Sequence, residues 1–213
     1  MKNHKLRRIL LLVVCAAAIA AVSVSATMAY LTSTASVKNT FTIGQVAITL
    51  DETKTDADGV AVTPATRISG IRSAGEQYTN TYHLVPGRTY TKDPVVHVTA
   101  GSEDSWIFVK VENGIAAYET EDEDAMLIAE QIEANGWIAL TGVENVYCKP
   151  YVSSTTTVDL PVFEDFTIDD DANEIAGWDD ISAANTTVTV TAYAIQKDGF
   201  STVLEAWKAG GWN

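Results

Sequence analysis

The sequence predicts a mainly β protein, an antiparallel β-sandwich with two short helices, and three observations lead there. From Val37 onward apolar residues alternate with polar ones at period two, which is the pattern of strands with one face on a core. Runs rich in β-branched and aromatic residues recur between Gly, Pro and Asp turn signals. Helical spacing occurs in two short segments, the first with a start signal.

The first element precedes the sandwich. Lys2, Lys5, Arg7 and Arg8 lead into an unbroken apolar stretch from Ile9 to Val22, the charged and hydrophobic regions of a secretory signal. Small residues follow, so Thr27 at −3 and Ala29 at −1 place the expected cleavage before Tyr30; cleavage after Thr27, with Ser25 at −3, is the nearest alternative. A retained anchor is the other reading, because Ile9 to Val24 approaches the ~20 residues that span a bilayer. The small-residue flank favours cleavage, and Val14 is too bulky to favour lipid attachment at Cys15. The expected organisation is therefore a signal peptide over 1–29 and one secreted domain over 30–213, with no stable membrane insertion after cleavage.

Charge narrows the partners. The chain carries 14 Lys and Arg against 28 Asp and Glu, and all four leader charges are basic, so the mature part keeps 10 against 28, a formal −18. Such a field repels phosphate backbones, which excludes nucleic acid as a natural partner and leaves divalent cations as weak ones. Cys148 alone survives cleavage, so no internal disulfide forms; alternation puts it on the face of Val146, as a buried structural thiol.

Taken in order, Val37, Phe41 and Ile43 alternate, and Val46, Ile48 and Leu50 continue after Gly44. Residues Asp51 to Gly59 read as an acidic loop or hairpin ending in the turn dipeptide Asp58-Gly59, with Val60 to Val62 as a short strand. Pro86-Gly87 is a turn, since Pro fixes φ and Gly takes positive φ. Val95 to Thr99 and Trp106 to Val111 read as a hairpin. Later strands are Trp137 to Leu140, Val146 to Val152, Thr157 to Val162 with Pro161 near an edge, and Thr186 to Ile195. The first helix is expected from a capping box at Thr120 to Glu123 through Ile132 to Asn135-Gly136, and the second over Ser201 to Ala209.

Catalytic patterns are not legible. Zinc proteolysis needs two His a helical turn apart with a Glu, and the mature part offers His83 before a turn and His97 out of phase in a strand. No Gly-x-Ser-x-Gly accompanies them. Carboxylates cluster at Asp51, Glu52, Asp56 and Asp58 and again at Asp169 to Asp171 and Asp179-Asp180. The first cluster lacks the closing Glu of a helix-loop-helix calcium loop, so Asp56, Asp58 and Asp170 are at most weak calcium candidates beside a solvated loop or a glycosidase-type pair. No cofactor is otherwise expected. The five Trp are read as core before sugar platform.

The ending Ala-Thr-Met-Ala of the leader with Tyr30 to Gly44 resembles the alternate-signal proteins processed by the SipW type of signal peptidase, the TasA/camelysin family. Leu84 to Val95 is similar to the family's turn motif through Pro86, Gly87 and Lys92, and Tyr193 to Phe200 ahead of a helix with Trp207 looks like members from anaerobic Gram-positive bacteria. The stretch from Ala116 to Gly177 matches no family pattern. The resemblance implies a jelly-roll form of the sandwich, secretion, and assembly on or outside the cell. Metalloprotease activity, described for camelysin, finds no ligand set here to carry it.

The expected function is a secreted structural protein of the cell surface or biofilm matrix, forming fibres by strand exchange with itself or related matrix subunits, with signal peptidase as partner during export. A freed arm from Tyr30 to Asn39 reaches roughly 33 Å at ~3.3 Å per residue, and residues 30–44 offer Leu31, Val37, Phe41 and Ile43 as a donor strand to a neighbour's sheet edge. The same segment also reads as an ordinary first strand of its own sandwich. The alternatives are a secreted enzyme, camelysin-like or glycan-hydrolysing, and a monomeric surface adhesin.

Overall fold

Strands β1 (Ile48–Thr53), β2 (Arg67–Ser69), β3 (Thr89–Thr91), β4 (Val95–Val98) and β5 (Ser105–Asn113) are followed by helix α1 (Ile128–Ala134). Strands β6 (Ile138–Ala139), β7 (Val146–Tyr151), β8 (Val158–Pro161), β9 (Asp165–Thr167) and β10 (Val188–Gln196) then lead to helix α2 (Val203–Gly210). The computed structural model describes residues 45–69, 80–120, 125–181 and 187–212. The leader, the cleavage residues Thr27, Ala29 and Tyr30, and the arm residues Leu31, Val37, Phe41 and Ile43 lie outside the described residues. Among the described residues no helix is long and apolar enough to cross a membrane.

The strands form one sheet in the order β2-β1-β4-β8, a second in the order β10-β5-β7-β6, and a ribbon of β3 with β9; each pairing is antiparallel. One core joins the two sheets. Val96 and Val98 of β4 and Leu160 of β8 meet Ile107, Val109 and Val111 of β5, with Ile128 and Ile132 of α1 and Trp137 filling beside them. The described residues thus adopt the mainly β class with two α-helices.

The second sheet is covered on its other face as well. Phe108, Val146 and Cys148 point away from the first core and pack against Ala206 and Trp207 of α2. That is why β5 reads as a nearly continuous apolar run, whereas β4 alternates between half-buried and buried residues. Cys148 shares the face of Val146, as alternation requires, and burial pushes its thiol pKa up, away from thiolate chemistry. Helix α2 starts at a capping box in which Thr202 accepts from the Glu205 amide and Glu205 accepts from the Thr202 amide.

Three sequence expectations need correction. Strands β4 and β5 are not a hairpin; they belong to different sheets, because the Gly101 and Glu103 amides bond to the Ser154 and Gln45 carbonyls and carry the chain across. Helix α1 does not start at Thr120: the Thr120 amide bonds to Thr167 O, Glu119 bridges Ile168 in extended form, and the helix begins at Ile128, where Glu130 accepts from the Leu127 amide. The loop reading of Asp51 to Gly59 starts too early, since β1 runs through Thr53 opposite Arg67; the Thr55 to Ala61 bridge then closes a hairpin over the Asp58-Gly59 turn.

Pro161 does lie on an outer strand of its sheet, β8. The Val162 amide donates to Pro94 O at 2.9 Å, so by alternation Val95 and Pro161, and likewise His97 and Asp159, oppose one another without main-chain bonds. The missing amide of Pro161 therefore costs no ladder bond.

Candidate functional site

The turn motif is architectural. The Arg88 amide closes the Pro86-Gly87 turn on Val85 O at 3.2 Å, and the turn is stitched to the end of β9 by Gly87 N to Ile168 O and Ile168 N to Arg88 O, at 2.9 and 3.0 Å. Gly87 has φ +72°, a backbone conformation that L side chains rarely adopt, and the Asp170 carboxylate lies over it where a Cβ would push that side chain aside. Three residues on, Tyr90 is fully buried; its hydroxyl donates to His83 O and accepts from the Val85 amide, each at 2.7 Å. Tyr90 stacks on Phe166 with ring centres 5.1 Å apart, and Tyr82 meets both edge-on. Lys92 is buried, and its Nζ lies 2.6 Å from Glu52 Oε2 in β1. The motif thus ties the ribbon, the turn and the first sheet together.

The calcium candidates meet at the same turn without forming a ligand set. Asp56 Oδ1 accepts from the amides of Asp58 and Val60, Asp58 Oδ1 pairs with Arg88 Nη1 at 2.5 Å, and Asp170 abuts Gly87. Among the described residues no group of three or more His, Cys, Asp and Glu is placed to hold a metal ion. His83 and His97 are not brought together around a shared centre. His83 serves through its backbone, and His97 stands on the outer face of the first sheet between Asp159 and Asp51, 2.6 and 3.0 Å away.

The tryptophans divide among packing roles. Trp137 is buried and donates from Nε1 to Pro161 O at 2.7 Å. Trp207 and Trp212 close with Phe108 and Tyr193 into an aromatic seat for α2, and Trp178 packs edge-on against Tyr118. Trp106 is half-buried beneath Lys197 Nζ, 5.3 Å from its ring centre.

Strand edges differ sharply in how they are protected. The outer strand β2 has three residues including Arg67, β6 has two, and β8 has four including Asp159 and Pro161. Short length, charge and proline each discourage further pairing. Strand β10 has nine residues, Val-Thr-Val-Thr-Ala-Tyr-Ala-Ile-Gln, with neither charge nor proline. Among the described residues it pairs on one side only, with β5. The bonds Gly114 N to Thr187 O and Lys197 N to Asp104 O fix the alternation, so odd-numbered residues of β10 bond to β5 and the amides of Val188, Val190, Ala192 and Ala194 point away from it.

Sequence reasoning missed the Tyr82, Tyr90 and Phe166 cluster, the Lys92 and Glu52 pair, and Glu119. The buried Glu119 accepts from Asn113 Nδ2 and, at 2.8 Å, from the Ile128 amide. The one available signal was an apolar Tyr at period two after a Pro-Gly turn, in Arg88-Thr89-Tyr90-Thr91.

These features define a mainly β protein whose motif residues serve its architecture and in which, among the described residues, β10 is the long strand that pairs on one side only. No protein-family model, curated protein or solved structure matches the chain. The resemblance to the TasA/camelysin family thus rests on the motifs quoted above.

Proposed function

We propose that the chain is a secreted structural protein of the cell surface or extracellular matrix, a jelly-roll-type sandwich that assembles by strand addition. The β10 edge carries this reading. An added strand gains main-chain bonds from the outward amides of Val188, Val190, Ala192 and Ala194, and alternate side chains of the incoming strand supply specificity. The arm over 30–44, with Leu31, Val37, Phe41 and Ile43, has the length and alternation to be that strand. A head-to-tail contact of this kind propagates as a filament. The leader and the acidic composition fit export and solubility outside a cell.

Negative-stain microscopy of the secreted protein tests the reading, with two variants. Ala192→Pro removes one outward donor without touching the β5 ladder, and deletion of Tyr30 to Lys38 removes most of the arm. Both are expected to abolish filaments while the monomer keeps its melting temperature. Filaments unchanged in both variants rule out assembly through this edge and this arm. A sharply destabilised monomer on deletion shows instead that the arm is the first strand of its own sandwich.

A further inference from the structure

The outer face of the first sheet carries a line of alternating charge that crosses all four strands. Arg67 of β2 reaches Asp51 of β1 at 2.5 Å, Asp51 reaches His97 of β4, and His97 reaches Asp159 of β8. Asp93, just before β4, binds Arg67 from the side at 2.9 Å and also accepts from the amide and hydroxyl of Thr53. Among the described residues, the charged groups around His97 are thus Asp51 on β1, Asp159 on β8, and Arg67 and Asp93 one step further along. His97 is the member of this line that titrates near neutrality.

Both ring nitrogens of His97 face carboxylates. Nδ1 lies 2.6 Å from Asp159 Oδ1, and Nε2 lies 3.0 Å from Asp51 Oδ2, within ion-pair range though without hydrogen-bond alignment. A neutral imidazole has one N–H and one lone pair, so it can satisfy one carboxylate while its other nitrogen repels the second. Both contacts hold together only in the doubly protonated ring. The two carboxylates are not equivalent: the Asp51 side chain is 22% exposed and tied to Arg67, whereas that of Asp159 is 65% exposed on the outer strand. Loss of the proton therefore leaves one N–H for two carboxylates and strips the cross-strand contact to the exposed Asp159 of its ionic part.

We propose that His97 is a proton-operated clasp that ties the outer strand β8 to the sheet when doubly protonated and loosens it when neutral. Strand β8 is suited to such control, since its four residues pair on one side only among the described residues, and His97 and Asp159 sit directly opposite without main-chain bonds of their own. Burial alone pulls the imidazole pKa down, but its contacts with Asp159 and Asp51 outweigh this and hold it above the ordinary 6.5. A raised pKa contributes stability that is fully present below the unfolded value and is lost as pH rises through the folded one. The clasp is therefore closed in acid and opens on the alkaline side of 6.5.

Amide exchange read residue by residue from pH 5.5 to 8.5, corrected for intrinsic rates, tests the clasp. The Val158 and Leu160 amides, which alternation directs toward β4, are expected to lose protection about threefold as His97 deprotonates, in keeping with one cross-strand charge pair. Amides of β5 and β10 should not share that step. His97→Gln and Asp159→Asn should each remove it, the second at an exposed position that leaves the core untouched. Protection of β8 that is flat with pH, a step that survives in either variant, or a loss spread equally over β5 and β10 would overturn the proposal.

Discussion

Gly59 lies so close to Tyr90 that a Cβ on it would stand 2.6 Å from Tyr90 Cδ1 and 2.9 Å from Tyr90 Cα. The second contact is with backbone, so a rotamer change cannot relieve it. Gly59 also has φ +76°, and its carbonyl accepts from the Thr91 amide at 3.2 Å, which holds the acidic hairpin on β3. Gly59→Ala is therefore expected to lower unfolding free energy by about 2 kcal/mol or more, through steric overlap and left-handed backbone together. Urea denaturation with an unchanged slope and a lower midpoint is the expected readout.

Lys92 and Glu52 join β1 to the chain after β3 across an almost fully buried gap. Glu52 also accepts from Asn80 Nδ2 at 3.0 Å, so its carboxylate is held from two directions. Removing one partner of a buried pair costs about 3–5 kcal/mol, because the other charge is left without compensation. Lys92→Met alone should show a loss of that order in denaturation, and adding Glu52→Leu should restore much of it. A double variant as unstable as Lys92→Met would show that the charge pair itself, and not the stranded carboxylate, carries the stability.

The parts of the fold legible in the sequence are those where period or turn chemistry acts locally. Alternation located β7 and put Cys148 inside; the amphipathic spacing of Val203, Leu204 and Trp207 located α2; Pro161 marked an outer strand. What was not legible depends on partners distant in sequence. Strand β9 has three residues, too few for a period, and exists because Phe166 meets Tyr90 76 positions earlier in the chain. The hairpin expected of β4 and β5 failed because the bonds to Gln45 and Ser154 that redirect their connection come from elsewhere in the chain. Of the site residues, Lys92 was singled out by motif similarity, but its half-buried partner Glu52 lies in a segment that reads as solvated acid. The alternation that flagged His97 as outward-facing was correct, yet its two carboxylates could be assigned only once the register was known.

Glu119 governs where α1 begins. Its carboxylate accepts from the Ile128 amide and from Asn113, while its backbone bridges Ile168. Glu119→Ala removes the acceptors of a buried amide and of the half-buried Asn113 side chain, and charged hydrogen bonds of this kind contribute roughly 1.5–3 kcal/mol. The variant is expected to lose about that much stability and to show faster amide exchange in Ile128 to Ala134 than in α2. Equal acceleration in both helices would mean that Glu119 acts on the whole domain and not as the anchor of α1.

Calcium is expected to do little. Asp56 Oδ1 already holds two backbone amides and Asp58 holds Arg88, so a cation would have to displace protein contacts before gaining ligands. Millimolar calcium should raise the melting temperature no further than magnesium at equal ionic strength. A calcium-specific rise that disappears in Asp170→Asn would contradict this and indicate a site at the Pro86-Gly87 turn.

Tyr82 sets a limit at high pH. Its ring lies edge-on to Tyr90 and Phe166, and its hydroxyl donates to Thr91 O at 2.9 Å. Burial pushes its pKa up to about 12, and the charges of Glu52 and Asp93 push the same way, outweighing the nearby polar side chains of Thr55 and Asn80, which act in the opposite direction. The phenolate is therefore disfavoured in the folded state relative to the unfolded one, where tyrosine ionises near 10. By linkage, the stability Tyr82 contributes is whole below pH ~10 and is lost as pH rises toward about 12. Absorbance at the phenolate band should show one tyrosine titrating late, coincident with unfolding followed by far-ultraviolet dichroism. Tyr82→Phe is expected to remove that late titration and to flatten the fall in stability over the same interval, though it forfeits the bond to Thr91 and starts from a lower midpoint at pH 8. A late titration that persists in Tyr82→Phe would assign it to Tyr90 or Tyr147, whose pKa values burial also raises.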